Sequence, residues 1–163
     1  MTLAGAAMTA GAGACIGARL AGAFARKGDE LMSIEVAGNE WGAIVQHPDL
    51  LELRWLTSTA SMTDGGFMAT LCLFVWEAEK RRPRGLLIDA VEFHHRFSDG
   101  VLAWRDAHII PRYGAAGVRR FAFLVPAGFP AAGKEAREGP AVFPTRWFVN
   151  RQEALGWLRA ATS

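Results

Sequence analysis

The sequence predicts an α/β domain built on an open, mainly parallel five-stranded sheet with helices, in the element order ββαβαβαβα. Three observations carry this prediction. Continuous apolar runs of strand length occur at 85–89 and 121–125, as central strands covered on both faces require. Stripes of apolar residues at helical spacing lie between such runs, and Gly, Pro, Asn and Asp punctuate the joints. Alternation of strand and helix favours parallel pairing, because each helix carries the chain back across the sheet.

The elements follow in order. Residues 1–40 are rich in Ala and Gly and read as a leader and linker, with the domain occupying 41–163. A short apolar strand at 42–46 meets a turn at His47-Pro48-Asp49. In Leu51-Glu52-Leu53-Arg54-Trp55 apolar residues alternate with charges, the period of a strand with one buried face, so these two pieces predict a hairpin. Thr63 or Asp64 can cap the next helix, whose Phe67, Leu71, Phe74, Val75 and Ala78 share a face and whose end is marked by Pro83. Cys72 lies in the same apolar pattern and is expected in the core.

After the strand at 85–89, Ser98 is placed to cap a helix carrying Val101, Leu102, Trp104, Ile109 and Ile110, which Pro111 should stop. The strand at 121–125 ends at Pro126, and the Ala/Gly/Pro-rich stretch 128–139 predicts only a weak helix. A last strand at 145–149 leads to Asn150 and Glu153, a capping-box spacing that opens a helix with Ala154, Trp157, Leu158 and Ala161. Trp55, Trp104, Trp147 and Trp157 fall at periodic positions and are expected inside. Trp41 and Trp76 do not, and exposed aromatics favour a partner surface or an apolar pocket.

Composition limits the function. A chain of 163 residues that is 51% hydrophobic and 21% charged is a folded protein, and about 120 residues suffice for one core. A net charge of +2 argues against a nucleic-acid partner, and the cluster Lys80-Arg81-Arg82-Pro83-Arg84 reads as the cationic end of a helix. No apolar run approaches the roughly 18 residues that a membrane span needs. Residues 1–18 lack Lys and Arg, so the charged start of a secretory signal is missing from them, and the expected compartment is the cytoplasm.

Residues 8–28 resemble the glycine-rich first turn and helix of a short-chain dehydrogenase, with Gly11, Gly13 and Gly17 ahead of Ile16, Leu20 and Phe24. That resemblance implies a middle glycine where Cys15 stands, and a Tyr-x-x-x-Lys pair. The single tyrosine, Tyr113, is followed four residues later by Gly117. The catalytic residues of that family are therefore lacking, and no cofactor is expected.

A second resemblance covers residues 42–160. Leu86-Leu87-Ile88-Asp89, the stretch from Trp104 to Pro111, Ala116-Gly117-Val118-Arg119-Arg120-Phe121-Ala122-Phe123 and Glu153-Ala154-Leu155-Gly156-Trp157-Leu158 occur in an order that resembles the SpoIIAA-like branch of small bacterial STAS/SEC14-type proteins. The resemblance implies a non-enzymatic regulatory or protein-interaction module, with an unidentified protein partner and a possible homodimer. It also implies a serine, phosphorylated by a partner kinase, at the start of the helix after the central strand. Ser98 in Phe97-Ser98-Asp99-Gly100 holds that place, either as the phosphorylated group or as a plain helix cap, although Asp99 would face the phosphate at close range. The SEC14-type side of the family, with the aromatic content, suggests the alternative of a small apolar-ligand or lipid-binding protein.

The loop between that strand and helix lies where open α/β sheets bind ligands, so Asp89, Glu92, His94, His95 and Asp99 are candidate ligand or interaction residues. Adjacent histidines on an extended chain point to opposite sides, which disfavours a shared metal, and no metal site is expected. His47 and His108 have no partner that the sequence defines. No Gly-x-Ser-x-Gly elbow is present, so no catalytic residue is assigned.

Overall fold

The computed structural model describes residues 32–137 and 139–160. Residues 8–28, with Cys15 and the dehydrogenase-like turn, lie outside them, as does Ala161.

The described residues form a seven-stranded mixed sheet with four α-helices. The strands are β1 (Ile34–Gly38), β2 (Gly42–Gln46), β3 (Leu50–Trp55), β4 (Gly85–Asp89), β5 (Arg120–Leu124), β6 (Glu135–Ala136) and β7 (Thr145–Phe148). The helices are α1 (Asp64–Arg81), α2 (Val101–His108), α3 (Ile110–Ala115) and α4 (Arg151–Arg159). The order across the sheet is β1-β2-β3-β4-β5-β7-β6. Its centre, β3-β4-β5-β7, is parallel, and antiparallel strands flank it on both sides.

The expected five strands are all present, and two more extend the sheet. β1 falls in the stretch read as linker, so the sheet starts at Ile34 rather than at Trp41. Its signal is weak because an edge strand buries little, and it is fixed by a turn in which Asn39 Oδ1 accepts from the amides of Trp41 and Gly42. The weak helix expected at 128–139 is absent. Gly128 and Gly133 there have positive φ, Pro126 and Pro130 interrupt the chain, and turns lead to the two-residue β6.

α1 forms as its sequence predicts. Thr63 caps it by accepting from the amide of Gly66, and Phe67, Leu71, Phe74, Val75 and Ala78 are all buried. Each large one contributes about 1.5–3 kcal/mol of burial. Cys72 departs from expectation. It sits with Trp76 and Lys80 on the exposed side of the helix, because position 72 is turned away from the stripe that begins at Phe67. Ser98 also departs from its expected role as cap. The N-cap of α2 is Gly100 at φ 88°, and Pro111 does not stop the helix but occupies the first turn of α3, where its missing N–H costs nothing.

The two faces of the sheet are covered unequally. α1, α2 and α3 pack on one face, over Leu51, Leu53, Trp55, Leu86, Ile88 and Phe121. On the other face α4 packs over Leu50, Leu87, Ala122, Leu124 and Phe148, through Ala154, Leu155 and Leu158. α4 starts where the capping box placed it, with Asn150 Oδ1 accepting from the amide of Glu153. Of the four tryptophans expected inside, only Trp55 is buried; Trp104, Trp147 and Trp157 are half-buried. Among the described residues no helix is long and apolar enough to cross a membrane.

Candidate functional site

The face under α1, α2 and α3 does not close. Between the helices and the carboxyl-terminal half of the parallel strands lies a cavity of about 390 Å³, within the range that holds a drug-sized molecule. Trp55, Ile88, Phe121, Phe123 and Trp147 form its floor from the sheet. Phe67 and Leu71 come from α1, and Arg105, Ile109, Ile110 and Tyr113 from α2, α3 and the joint between them. Phe97, Leu102 and Phe129 line it and are also exposed, so they mark its mouth.

Aromatic rings give the walls their rigidity. Trp55 stacks on Phe67 at 5.5 Å, Phe67 meets Phe97 edge-on at 4.7 Å, and Phe123 lies parallel to Trp147 at 5.7 Å. Among the described residues the lining holds one charged side chain, Arg105, and no serine, cysteine, histidine or carboxylate. Tyr113 is 1% exposed, and its hydroxyl has no hydrogen-bond partner among the described residues.

Residues 90–99 cover one side of this cavity without helix or strand of their own, and polar side chains pin them. Thr59, fully buried in a 3-10 turn over Thr57–Ser61, accepts from the amide of His94 at 3.0 Å. Its hydroxyl also lies 2.7 Å from the carbonyl of Leu56 and 3.1 Å from that of Glu92. His95 Nε2 donates to Asp64 Oδ1 at 2.7 Å, and the Ser98 hydroxyl donates to Asp64 Oδ2. The bonds from Ser98 and then His95 hold the Asp64 carboxyl below its ordinary value. Ser98, His95 and Asp64 do not form a nucleophilic relay, because the carboxylate stands between the other two and the imidazole is not bonded to the hydroxyl.

The candidate residues therefore surround the site rather than line it. His94 and His95 point to different partners, His94 to exposed Glu92 at 3.6 Å and His95 to Asp64. Asp99 is exposed, and Asp89 Oδ1 accepts from the amide of Val91. Among the described residues no group of three or more His, Cys, Asp or Glu side chains gathers as metal ligands would. Ala90, Phe93 and Phe97, interleaved with the polar residues, are the parts of the loop that line the cavity.

On the α4 face the sequence reading missed a buried ionic cluster. Glu52, expected on a solvent face, is 0% exposed. It accepts from His47 Nε2 at 2.7 Å, from both terminal nitrogens of Arg151 at 2.8 and 2.7 Å, and from Arg54 at 3.3 Å. Burial pushes its carboxyl up, but the bonds from His47 and Arg151 outweigh that and hold it at about 2. Burial raises Asp89, whose Oδ2 is 3.6 Å from Arg151. His47 thus has a partner that the sequence did not define.

A second depression, of about 310 Å³, lies at the amino-terminal ends of β3 and β4 and is lined by Arg81, Arg82 and Arg84 among others. Arg81 is engaged by Glu77 and Gln46, and Arg82 by the carbonyl of Ala115. Ligands of open α/β sheets bind at the opposite ends of the strands, where the aromatic cavity opens. Comparison with protein-family models, curated proteins and solved structures returns no match for this chain.

Proposed function

We propose that this protein is a non-catalytic binding protein for a small apolar ligand, held in the aromatic cavity under α1, α2 and α3. The single observation that carries the reading is a well-formed void of about 390 Å³ with an exposed apolar mouth and a lining without nucleophile, base or metal donor among the described residues. A void of that size in an interior that otherwise packs densely forfeits contacts, and an occupant restores them. On this reading the SpoIIAA-like, STAS/SEC14-type resemblance belongs to β2, β3, β4, β5 and β7, with β1 and β6 added at the edges.

The test is fluorescence titration with N-phenyl-1-naphthylamine, an uncharged probe that brightens in apolar surroundings. Saturable binding at one site per chain is expected, weakened tenfold or more in Ala90→Phe, which places a ring in the cavity from the end of β4. Absence of saturable binding, or equal binding by the filled variant, contradicts the reading.

The regulatory reading gains one specific observation. Ser98 is exposed, and its hydroxyl helps to hold the loop that carries Phe93 and Phe97. A phosphate there would face Asp64, with Asp99 next in sequence, and like-charge repulsion would release the loop. Ser98→Glu is expected to speed amide exchange across 90–100, and unchanged exchange contradicts this second reading.

A further inference from the structure

We propose that Phe97 is a swinging cover over the mouth of the cavity, carried by residues 95–99 and latched shut by the Asp64 carboxylate. The inference rests on the ligand-binding reading above and concerns how a ligand enters and leaves the unmodified protein. Three exposed side chains stand at the mouth, and they are held differently. Leu102 is fixed by α2. Phe129 sits in a turn closed by backbone bonds, its amide donating to the carbonyl of Pro126 at 3.2 Å and its carbonyl accepting from the amide of Ala132 at 3.0 Å. Phe97 lacks such support, because among the described residues 94–97 make no backbone-to-backbone hydrogen bond.

The loop hangs from two anchors of unequal strength. Thr59 is fully buried and holds the amide of His94 and the carbonyl of Glu92, so Phe93, edge-on to Trp55 at 5.0 Å, stays in the wall. Asp64 is the second anchor, and the loop occupies both its oxygens, one through His95 Nε2 at 2.7 Å and the other through the Ser98 hydroxyl. The Asp64 side chain is 28% exposed and residues 96–100 are all exposed, so water competes for these bonds and local opening costs little. Beyond them Gly100, at φ 88° with open space where a side chain would begin, can absorb the change of backbone angles. The moving part is thus bounded by the Thr59 anchor on one side and Gly100 on the other. When the latch releases, Phe97 leaves its contacts with Phe67 at 4.7 Å and Phe93 at 5.6 Å, and the mouth widens.

The experiment is stopped-flow fluorescence of N-phenyl-1-naphthylamine binding to the full chain and to Asp64→Ala, which keeps Thr63 as the cap of α1. A latch that shuts the cover before and after binding slows both directions alike. The variant is therefore expected to associate and dissociate about fivefold faster or more, with its affinity within about twofold of the parent. In Phe97→Ala the cover is gone, and adding Asp64→Ala there is expected to bring no further acceleration. Unchanged rates, an affinity lost with no gain in association rate, or acceleration by Asp64→Ala that persists in full without Phe97 overturns this inference and leaves the apolar cavity in place. Failure of the probe to bind the parent at all overturns the ligand-binding reading and this inference with it.

Discussion

On the face covered by α1, α2 and α3, aromatic side chains stand around about 390 Å³ of space, and a buried phenol lacks a partner among the described residues. On the face covered by α4, a fully buried carboxylate is met by an imidazole and two guanidinium groups. The first face leaves volume unspent, whereas the second surrounds a buried charge with three partners, although Asp49 Oδ1 and Arg146 Nε on that side also lack a partner among the described residues. On the proposed function the two sides do different work: α4 clamps the sheet, and the opposite face would receive a ligand. A protein with voids on both faces would lose the rigid floor that a shaped site needs.

Breaking the clamp should have the largest effect. Arg151→Met leaves Glu52 with His47 and Arg54 as its partners among the described residues, and loss of one partner of a buried pair costs about 3 kcal/mol or more. Urea denaturation should show that loss; a change of less than about 1 kcal/mol would remove the distinction between the faces.

The acid limb of stability gives nearly as large a signal. Glu52 falls from an ordinary 4.5 to about 2 on folding, worth about 3 kcal/mol at about 1.4 kcal/mol per tenfold change. Because its folded value is the lower one, this contribution is full above about pH 4.5 and is lost as the pH falls toward 2. Denaturation midpoints measured across pH 2–6 should follow that slope, and the slope should be shallower in Arg151→Met.

The smallest effect is expected on the open face and has the opposite sign. Tyr113→Phe removes a buried hydroxyl without a partner among the described residues, so the unliganded protein should gain about 1 kcal/mol. A loss of comparable size in the same urea experiment would mean that the hydroxyl is satisfied.

Much of the architecture was readable from residue order because it rests on local signals. The caps Thr63 and Asn150, the stripe from Phe67 to Ala78 and the apolar runs of β4 and β5 each act within a few residues of themselves. What escaped depends on long-range placement. Alternation in β3 identified a strand but took Glu52 for a solvent-facing residue, because its partner Arg151 lies 99 residues away on α4. Position 72 reads as core only until the helix is turned against the sheet. The loop 90–99 was singled out for its place at the strand ends, and it does adjoin the cavity there, yet its lining residues Phe93 and Phe97 were not among the candidates. A pair of aromatics four apart in a loop between strand and helix was the signal that could have found the wall of the cavity.

The most direct test of the assignment of work between the faces is amide NMR mapping of the isotope-labelled protein during titration with N-phenyl-1-naphthylamine. Shifts concentrated in residues 88–97, 105–113 and 121–129, with Glu52, Arg151 and the rest of α4 unmoved, are the predicted result. Shifts centred on α4, or none at saturating probe, would contradict the account.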